Sequence, residues 1–298
     1  YWPILSVDAL SIAIDRSSGV SPDRYPCHGS ALVIDRGSLL TTSLDNRELA
    51  PLRTVRILGL PVHDVTLPEA VARIRVWCDR TGPIRQVVTL NPEMVMAARR
   101  DPAFRAVIEQ AALVTPDGVG MTLAARLRGT PLRGRVTGVD LVEALAMTDH
   151  SLFLLGAAPG VAERAARALD ERFGARVVGT WAGSPRPEDA PAALDQIAAA
   201  RPHILCVAYG APAQECWIAR YRAELAACGV RVALGVGGTF DYLAGVVPRP
   251  PAVVRRLGLE WLYRLIRQPW RWRRQLVLPH FALLAAAEAL TVRLGRRT

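Results

Sequence analysis

Residues 113–120, Leu-Val-Thr-Pro-Asp-Gly-Val-Gly, put one carboxylate where chemistry is easiest to do. A short apolar run of this kind reads as a buried strand, and Pro116 and Gly118 then force the chain to turn. Asp117 is therefore left at the carboxyl end of a strand with a helix about to begin. In open α/β sheets ligands collect in the crevice beyond such strand ends, so an acid there is placed to accept a proton. The competing role is structural: a Pro-Asp-Gly turn in which Asp117 only caps the next helix. Thr89 and Asn91 end a second apolar run, Gln86–Leu90. Strand alternation sends their side chains to one face, where hydroxyl and amide groups suit a sugar as well as they suit a helix cap. Gln214, at the start of a later helix, offers another amide with the same two possibilities. Three further strand ends carry glycines that open helices: Gly156 with Gly160, Gly210, and Gly237 with Gly238. Turns of this type aim backbone N–H groups and a helix dipole at phosphate, although none has the G-x-G-x-x-G spacing of a dinucleotide site.

Several chemistries are disfavoured by what is missing. All 37 basic residues are arginine, so neither a Schiff-base lysine nor a P-loop lysine is present. The fifteen aspartates include no D-x-D pair, the five histidines are scattered, and there is no H-E-x-x-H or G-x-S-x-G. No metal site and no cofactor is expected. The five cysteines lack C-x-x-C spacing and suggest a reduced compartment.

The elements that must position these residues alternate regularly from Val55 onward. Apolar strand-like runs at 55–58, 86–90, 113–116, 152–155, 175–179, 203–208 and 230–236 are separated by segments of helical period. Thr66-Leu67-Pro68-Glu69 is a capping box, and Asp101 is a cap for a helix over Phe104, Val107 and Ile108. Alternation of this kind predicts an α/β fold, Rossmann-like, with a mostly parallel sheet covered on both faces. Three regions are expected: an N-terminal extension over 1–52 with no assigned role, an α/β core over 53–248, and a basic helical appendage over 249–298.

The net charge of +10 belongs almost wholly to that appendage, where eleven arginines face only Glu260 and Glu288. Arg264, Arg267, Arg271 and Arg274 recur at helical spacing among Trp261, Trp270 and Trp272, with Pro269 expected to kink or divide the helix. Tryptophan interleaved with arginine suits an anionic bilayer surface, and an arginine stripe suits a diphosphate. The apolar stretch 276–292 holds Pro279, His280 and Glu288 and is read as docking at the membrane without crossing it. Nucleic acid is not an expected partner, since the basic residues sit in one Trp-rich segment without an RNA-binding signature. Self-association through exposed apolar surface is a further expectation.

Taken together, the motifs resemble the WecG/TagA/CpsF glycosyltransferase family. They are 89–93 (Thr-Leu-Asn-Pro-Glu), 115–118 (Thr-Pro-Asp-Gly), 135–140 (Arg-Val-Thr-Gly-Val-Asp), 154–156 (Leu-Leu-Gly), 210–215 (Gly-Ala-Pro-Ala-Gln-Glu), 235–241 (Gly-Val-Gly-Gly-Thr-Phe-Asp), 258–264 (Gly-Leu-Glu-Trp-Leu-Tyr-Arg) and 269–272 (Pro-Trp-Arg-Trp). The resemblance covers residues 55–279; one departure is Arg249-Pro250-Pro251, where Arg-Ala-Pro is more usual. It implies an inverting transferase that moves a sugar from a UDP-sugar to a polyprenyl-diphosphate-linked saccharide at the cytoplasmic face of the cell membrane. It also implies Asp117 as general base, Thr89, Asn91 and Gln214 around the sugars, and Arg264, Arg271 and Arg274 at the diphosphate and the membrane. The remaining motif residues expected at the substrate surface are Gly118, Arg135, Gly156, Gly210, Glu215, Gly237, Gly238, Asp241 and Arg267. The alternative from a different class is a membrane-docked scaffold that binds nucleotide without turnover. The donor sugar (N-acetylmannosamine, its uronic acid or glucose) is not specified by any residue.

Overall fold

Six strands build a fully parallel sheet: β3 (Arg85–Leu90), β4 (Leu113–Pro116), β5 (Leu152–Gly156), β6 (Val177–Trp181), β7 (Ile204–Ala208) and β8 (Val232–Gly235). Their spatial order is β4-β3-β8-β7-β5-β6. The structure is a computed structural model that describes residues 50–269 and 272–295. The expected extension over 1–52 therefore falls, but for its last three residues, outside the described residues, as does Arg271.

The expected α/β architecture is present, and the reason lies in burial. β4, β5, β7 and β8 are buried at every position, as strands covered on both faces must be. One face is covered by helices Leu67–Cys78, Gly138–Ala146, Val161–Phe173 and Thr239–Leu243, around Ile74, Leu141, Leu145 and Phe240. The other face carries Pro92–Ala98, Pro102–Glu109 and Val119–Leu127 at one end and Ala190–Ala200 with Ala213–Arg220 at the other. Local signals fix the helix starts. The Thr66/Glu69 capping box forms, the Asp101 carboxylate accepts from the amides of Ala103 and Phe104, and the Thr137 hydroxyl accepts from that of Asp140.

Two local departures from the sequence expectation have clear causes. Val55–Leu58 does not join the sheet. β1 (Thr54–Ile57) turns at Leu58-Gly59, both at positive φ, and pairs antiparallel with β2 (Leu60–His63). Two positive-φ residues in a two-residue loop match the twist of a hairpin, so the chain folds back on itself here. The hairpin covers β4, an edge strand, and the His63 imidazole accepts the Val114 amide proton at 2.8 Å through Nδ1. Secondly, the helix read over 214–225 is interrupted at Tyr221, between Ala213–Arg220 and Arg222–Ala227.

Beyond the sheet, the helix Glu260–Arg267 stops before Pro269, and a short helix Trp272–Gln275 leads into the long helix Val277–Gly295. The division at Pro269 follows from its missing N–H and ring clash. The last helix is longer than the sequence suggested because Pro279 lies in its first turn, where no helical hydrogen bond is lost. By length and composition alone the segment Trp272–Arg293 is sufficient to cross a bilayer. One side of the helix is nevertheless packed on the protein: Phe281, Ala285 and Ala289, four residues apart, are buried, the first two in the core formed with Pro92–Ala98 and Val119–Leu127. Glu288 adds an ion pair with Arg128 at 2.6 Å and accepts the Leu58 amide proton at 3.1 Å. Phe281→Ala is expected to lower the denaturant midpoint, with a loss of up to about 3–5 kcal/mol, and to admit protease between residues 258 and 276. An unchanged midpoint and unchanged protection would show that this contact does not hold the segment down.

Candidate active site

The carboxyl ends of β4, β3, β8, β7 and β5 bring most of the candidate residues to one edge of the sheet. β3 and β4 run in register with Thr89 beside Thr115 and Leu90 beside Pro116. The Asp117 amide then donates to the Leu90 carbonyl at 2.9 Å, which places Asp117 next to Asn91 at the strand ends. Gly118, at φ 90°, makes the turn into the Val119–Leu127 helix.

Arg135 comes to the same place through the chain that follows. The Val136 amide donates to the Pro116 carbonyl, and the Thr115 hydroxyl donates to the Val136 carbonyl. The Glu260–Arg267 helix supplies two more charges. Glu260 pairs with Arg135 at 2.6 Å, and Arg264 reaches over the Tyr242 ring, 5.2 Å from its centroid, against Gly238. A Cβ at Gly238 would collide with that guanidinium, so a larger residue there would displace Arg264 from where the tail meets the β8 turn.

These groups set the proton affinity of Asp117. Protein atoms crowd its carboxyl, although the residue keeps a partial opening to solvent. Burial raises its pKa first and the negative charge of Glu260 raises it further, with a smaller push from Asp140; Arg135 and Arg264 pull the other way. The result is a carboxyl pushed up to about 7. A carboxylate of that affinity is half ionised near neutral pH and is a much better proton acceptor than an ordinary one.

A second cluster organises the glycine turns. Gln214 Oε1 accepts the amide protons of Gly210 and of Gly237, both at 3.0 Å, so one side chain ties the turn after β7 to the turn after β8. Its Nε2 donates to Glu215 Oε1 at 2.7 Å. Glu215 is fully buried, its Oε2 has no partner, and burial pushes its carboxyl up to about 7. Gly235 passes so close to Glu215 that any larger residue there would strike its carboxyl oxygen. Gln214 and Glu215 thus hold the turns from beneath, a positioning task that sequence spacing did not reveal. Gly156, at φ 102°, lies against the Ala208–Tyr209 backbone at the β5/β7 junction, where a Cβ would fall 2.9 Å from the Ala208 carbonyl carbon. The connections from β5 and β7 leave toward opposite sides there, the type of crevice where ligands bind in open sheets.

The other candidates are placed less uniformly. The Thr89 hydroxyl donates to the Gly235 carbonyl at 3.3 Å and bridges β3 to β8. Asn91 caps the Pro92–Ala98 helix through Oδ1, which leaves its NH₂ for a ligand. Asp241 is half-buried in the first turn after Gly238. The tail arginines among the described residues, Arg264, Arg267 and Arg274, do not share a helical face. Arg264 turns to the Asp117 cluster, Arg267 is exposed over the Tyr263 ring, and Arg274 pairs with Glu93 at 3.0 Å. The break before Pro269 separates them. Arg274, Asn91 and Glu93 line a cavity of about 230 Å³ with Ala211 and Val277. Glu260 was not among the expected site residues; its signals were its place in the 258–264 motif and its being one of two acids in a basic run. Among the described residues no cluster of three His, Cys, Asp or Glu side chains could hold a metal ion.

A parallel sheet whose strand ends gather one raised-pKa carboxyl, glycine turns and arginine is a site built for transfer of a group that leaves as an anion. The chain belongs to the glycosyl transferase WecG/TagA/CpsF family, whose model matches residues 55–295. Two relatives are similar to it over most of their length. One, from Bacillus spizizenii strain W23, is 37% identical over 200 residues, 65% of this chain and 76% of the relative. The other, from Bacillus subtilis strain 168, is 34% identical over 207 residues, 68% of this chain and 79% of the relative. Both are named N-acetylglucosaminyldiphosphoundecaprenol N-acetyl-beta-D-mannosaminyltransferase.

A carboxyl raised from its unfolded value of 3.8 to about 7 contributes stability that is complete below about pH 4 and lost as pH rises through 7. Asp117→Asn removes the charge that must form there. The variant is expected to unfold at a higher temperature than the parent at pH 8, with the gap closing toward pH 5. The opening to solvent keeps the gap modest. A variant that is less stable than the parent at pH 8 would contradict the crowding of this carboxyl.

Proposed function

We propose that this protein is an inverting, UDP-sugar-dependent hexosyltransferase that moves an N-acetylmannosamine-type sugar onto a polyprenyl-diphosphate-linked N-acetylglucosamine. The observation that carries this is the raised-affinity carboxyl of Asp117 at the sheet edge, in a member of a glycosyltransferase family whose two relatives bear that activity in their names.

In this reaction Asp117 takes the proton of the acceptor hydroxyl as its oxygen attacks the anomeric carbon. The new C–O bond forms on the face opposite the breaking bond between the anomeric carbon and the diphosphate oxygen, so configuration inverts. UDP departs with the bonding pair. The growing charge meets Arg264, while Gln214, which takes the Gly210 and Gly237 amide protons itself, holds the two turns in position. Asp117 then passes its proton to solvent through its opening. Arginine takes the charge-neutralising role, and the chemistry is metal-independent.

The acceptor lipid brings the protein to an anionic membrane surface on the cytoplasmic side. Support comes from the C-terminal region, where Trp261, Leu262, Ile266, Trp272, Leu283 and Leu290 are exposed while arginine is abundant. The packed face of the last helix favours docking over spanning.

The test is turnover of UDP-N-acetylmannosamine with a short-chain polyprenyl-diphosphate N-acetylglucosamine, products read by mass. Asp117→Asn is expected to lower kcat by about 10²–10⁴-fold with the fold intact, and Arg264→Gln to lower kcat more than it raises KM. Near-parental turnover by Asp117→Asn removes the proposed base. UDP binding by the parent without any product would favour a nucleotide-binding scaffold instead.

A further inference from the structure

The opposite edge of the sheet, at the amino ends of β7 and β8, holds a second cavity of about 220 Å³. It lies between the end of the Leu67–Cys78 helix and the chain entering β7 and β8. Pockets for drug-sized ligands run to about 300–1,000 Å³, so this one suits a small ligand. Its charged walls are Arg80, Arg201, Arg231 and His203, with Asp79 as the one acid.

Several arginines elsewhere in the protein have carboxylate partners. Arg53 and Arg133 share Asp64, Arg172 and Arg249 share Glu143, Arg135 has Glu260, and Arg274 has Glu93. Among the described residues no carboxylate lies within ion-pair distance of Arg80, Arg201 or Arg231. Asp79, whose Oδ1 is engaged by His150 Nε2 at 2.9 Å, supplies one negative charge against these three positive ones. Burial pushes the Cys78 thiol up to about 12, so it adds no negative charge.

His203 contributes a directed donor. Its Nδ1 accepts the Ser151 amide proton at 3.3 Å and lies 2.8 Å from the Ser151 hydroxyl. An amide N–H can only donate, so in the neutral ring the proton sits on Nε2, which is left without a protein partner. The ring is fixed further by edge-to-face contact with His150, 5.5 Å between centroids. Burial and the charges of His150, Arg176 and Arg231 hold His203 below the usual imidazole range, against a smaller opposing pull from Asp79. After burial, the groups that lower it are basic ones. The cavity therefore offers three arginines, an imidazole N–H and the Thr81 hydroxyl against the single carboxylate of Asp79. Forked guanidinium donors match the oxygens of a phosphate group, which would satisfy them together.

We propose that this cavity is a binding site for a phosphate-class oxyanion, either free phosphate or diphosphate or the diphosphate of a nucleotide, separate from the catalytic edge. It holds whether or not the transferase assignment above does, since it shares no residue with that site.

The test follows the His203 imidazole resonances of the full chain, assigned with His203→Gln, during titration with orthophosphate, pyrophosphate and UDP. Sodium chloride at matched ionic strength is the control. At least one phosphate compound is expected to move them saturably, and chloride is not. Movement by orthophosphate or pyrophosphate assigns a free anion; movement by UDP alone assigns a nucleotide. Arg201→Gln/Arg231→Gln is expected to weaken that binding at least tenfold, and each single variant to weaken it in part, while Asp117→Asn leaves it unchanged. These arginines lie at the surface of the cavity, and the single variants serve if the double variant does not fold. No saturable movement with any of the three compounds, or equal binding by the arginine variants, overturns the proposal.

Discussion

The Asp117 carboxyl is reluctant to ionise first because it is buried and then because of a charge that arrives from far along the chain. Glu260 stands beside it and pairs with Arg135, while Arg264 approaches from one helical turn further on. Coulomb energy between near charges in a partly desolvated site is several times its value in water. Small changes in where the Glu260–Arg267 helix sits therefore translate into proton affinity at Asp117. The sheet presents the acid, and the C-terminal segment tunes it.

This gives the basic tail two tasks that its composition does not separate. Part of its positive charge is consumed internally: Arg249 pairs with Asp140 and Glu143, and Arg274 with Glu93. Those pairs, with Phe281 and the Arg128–Glu288 contact, fasten the tail to a body of nearly balanced charge. Arg267 and Arg273 stay at the surface beside exposed tryptophan and leucine. One segment thus carries both the fastening and an exposed face of arginine, tryptophan and leucine beside the helix that bears Glu260.

How much of this could be read from the sequence depends on the range of the interactions. The parallel sheet was legible because strands buried on both faces are continuous apolar runs, and Asp117 because proline and glycine mark the end of its strand. The Thr66 and Asp101 caps and the break at Pro269 are equally local, and they formed as expected. The β1–β2 hairpin was not legible as such, since Leu58 is an unusual residue to hold at positive φ and the eye passes over it. Gln214 was seen as an amide near a sugar. Its oxygen instead spans two turns 27 residues apart in sequence, Gly210 and Gly237, a relation that only the register of β7 against β8 creates. Glu260 was overlooked because its effect is electrostatic and its target is 143 residues away. The helical spacing of the tail arginines suggested a single face; the proline break and the carboxylates of the body distribute Arg264, Arg267 and Arg274 otherwise.

The most direct measurement of the central claim is the pH dependence of kcat/KM for sugar transfer in the parent protein and in Glu260→Gln. The parent is expected to gain activity through an acid limb near pH 7, as Asp117 ionises. Removing the charge at residue 260 eliminates a like-charge neighbour and frees Arg135, so both effects lower the Asp117 pKa. The acid limb should move to lower pH. A limb that stays in place or moves upward would show that the C-terminal segment does not set the proton affinity of this carboxyl.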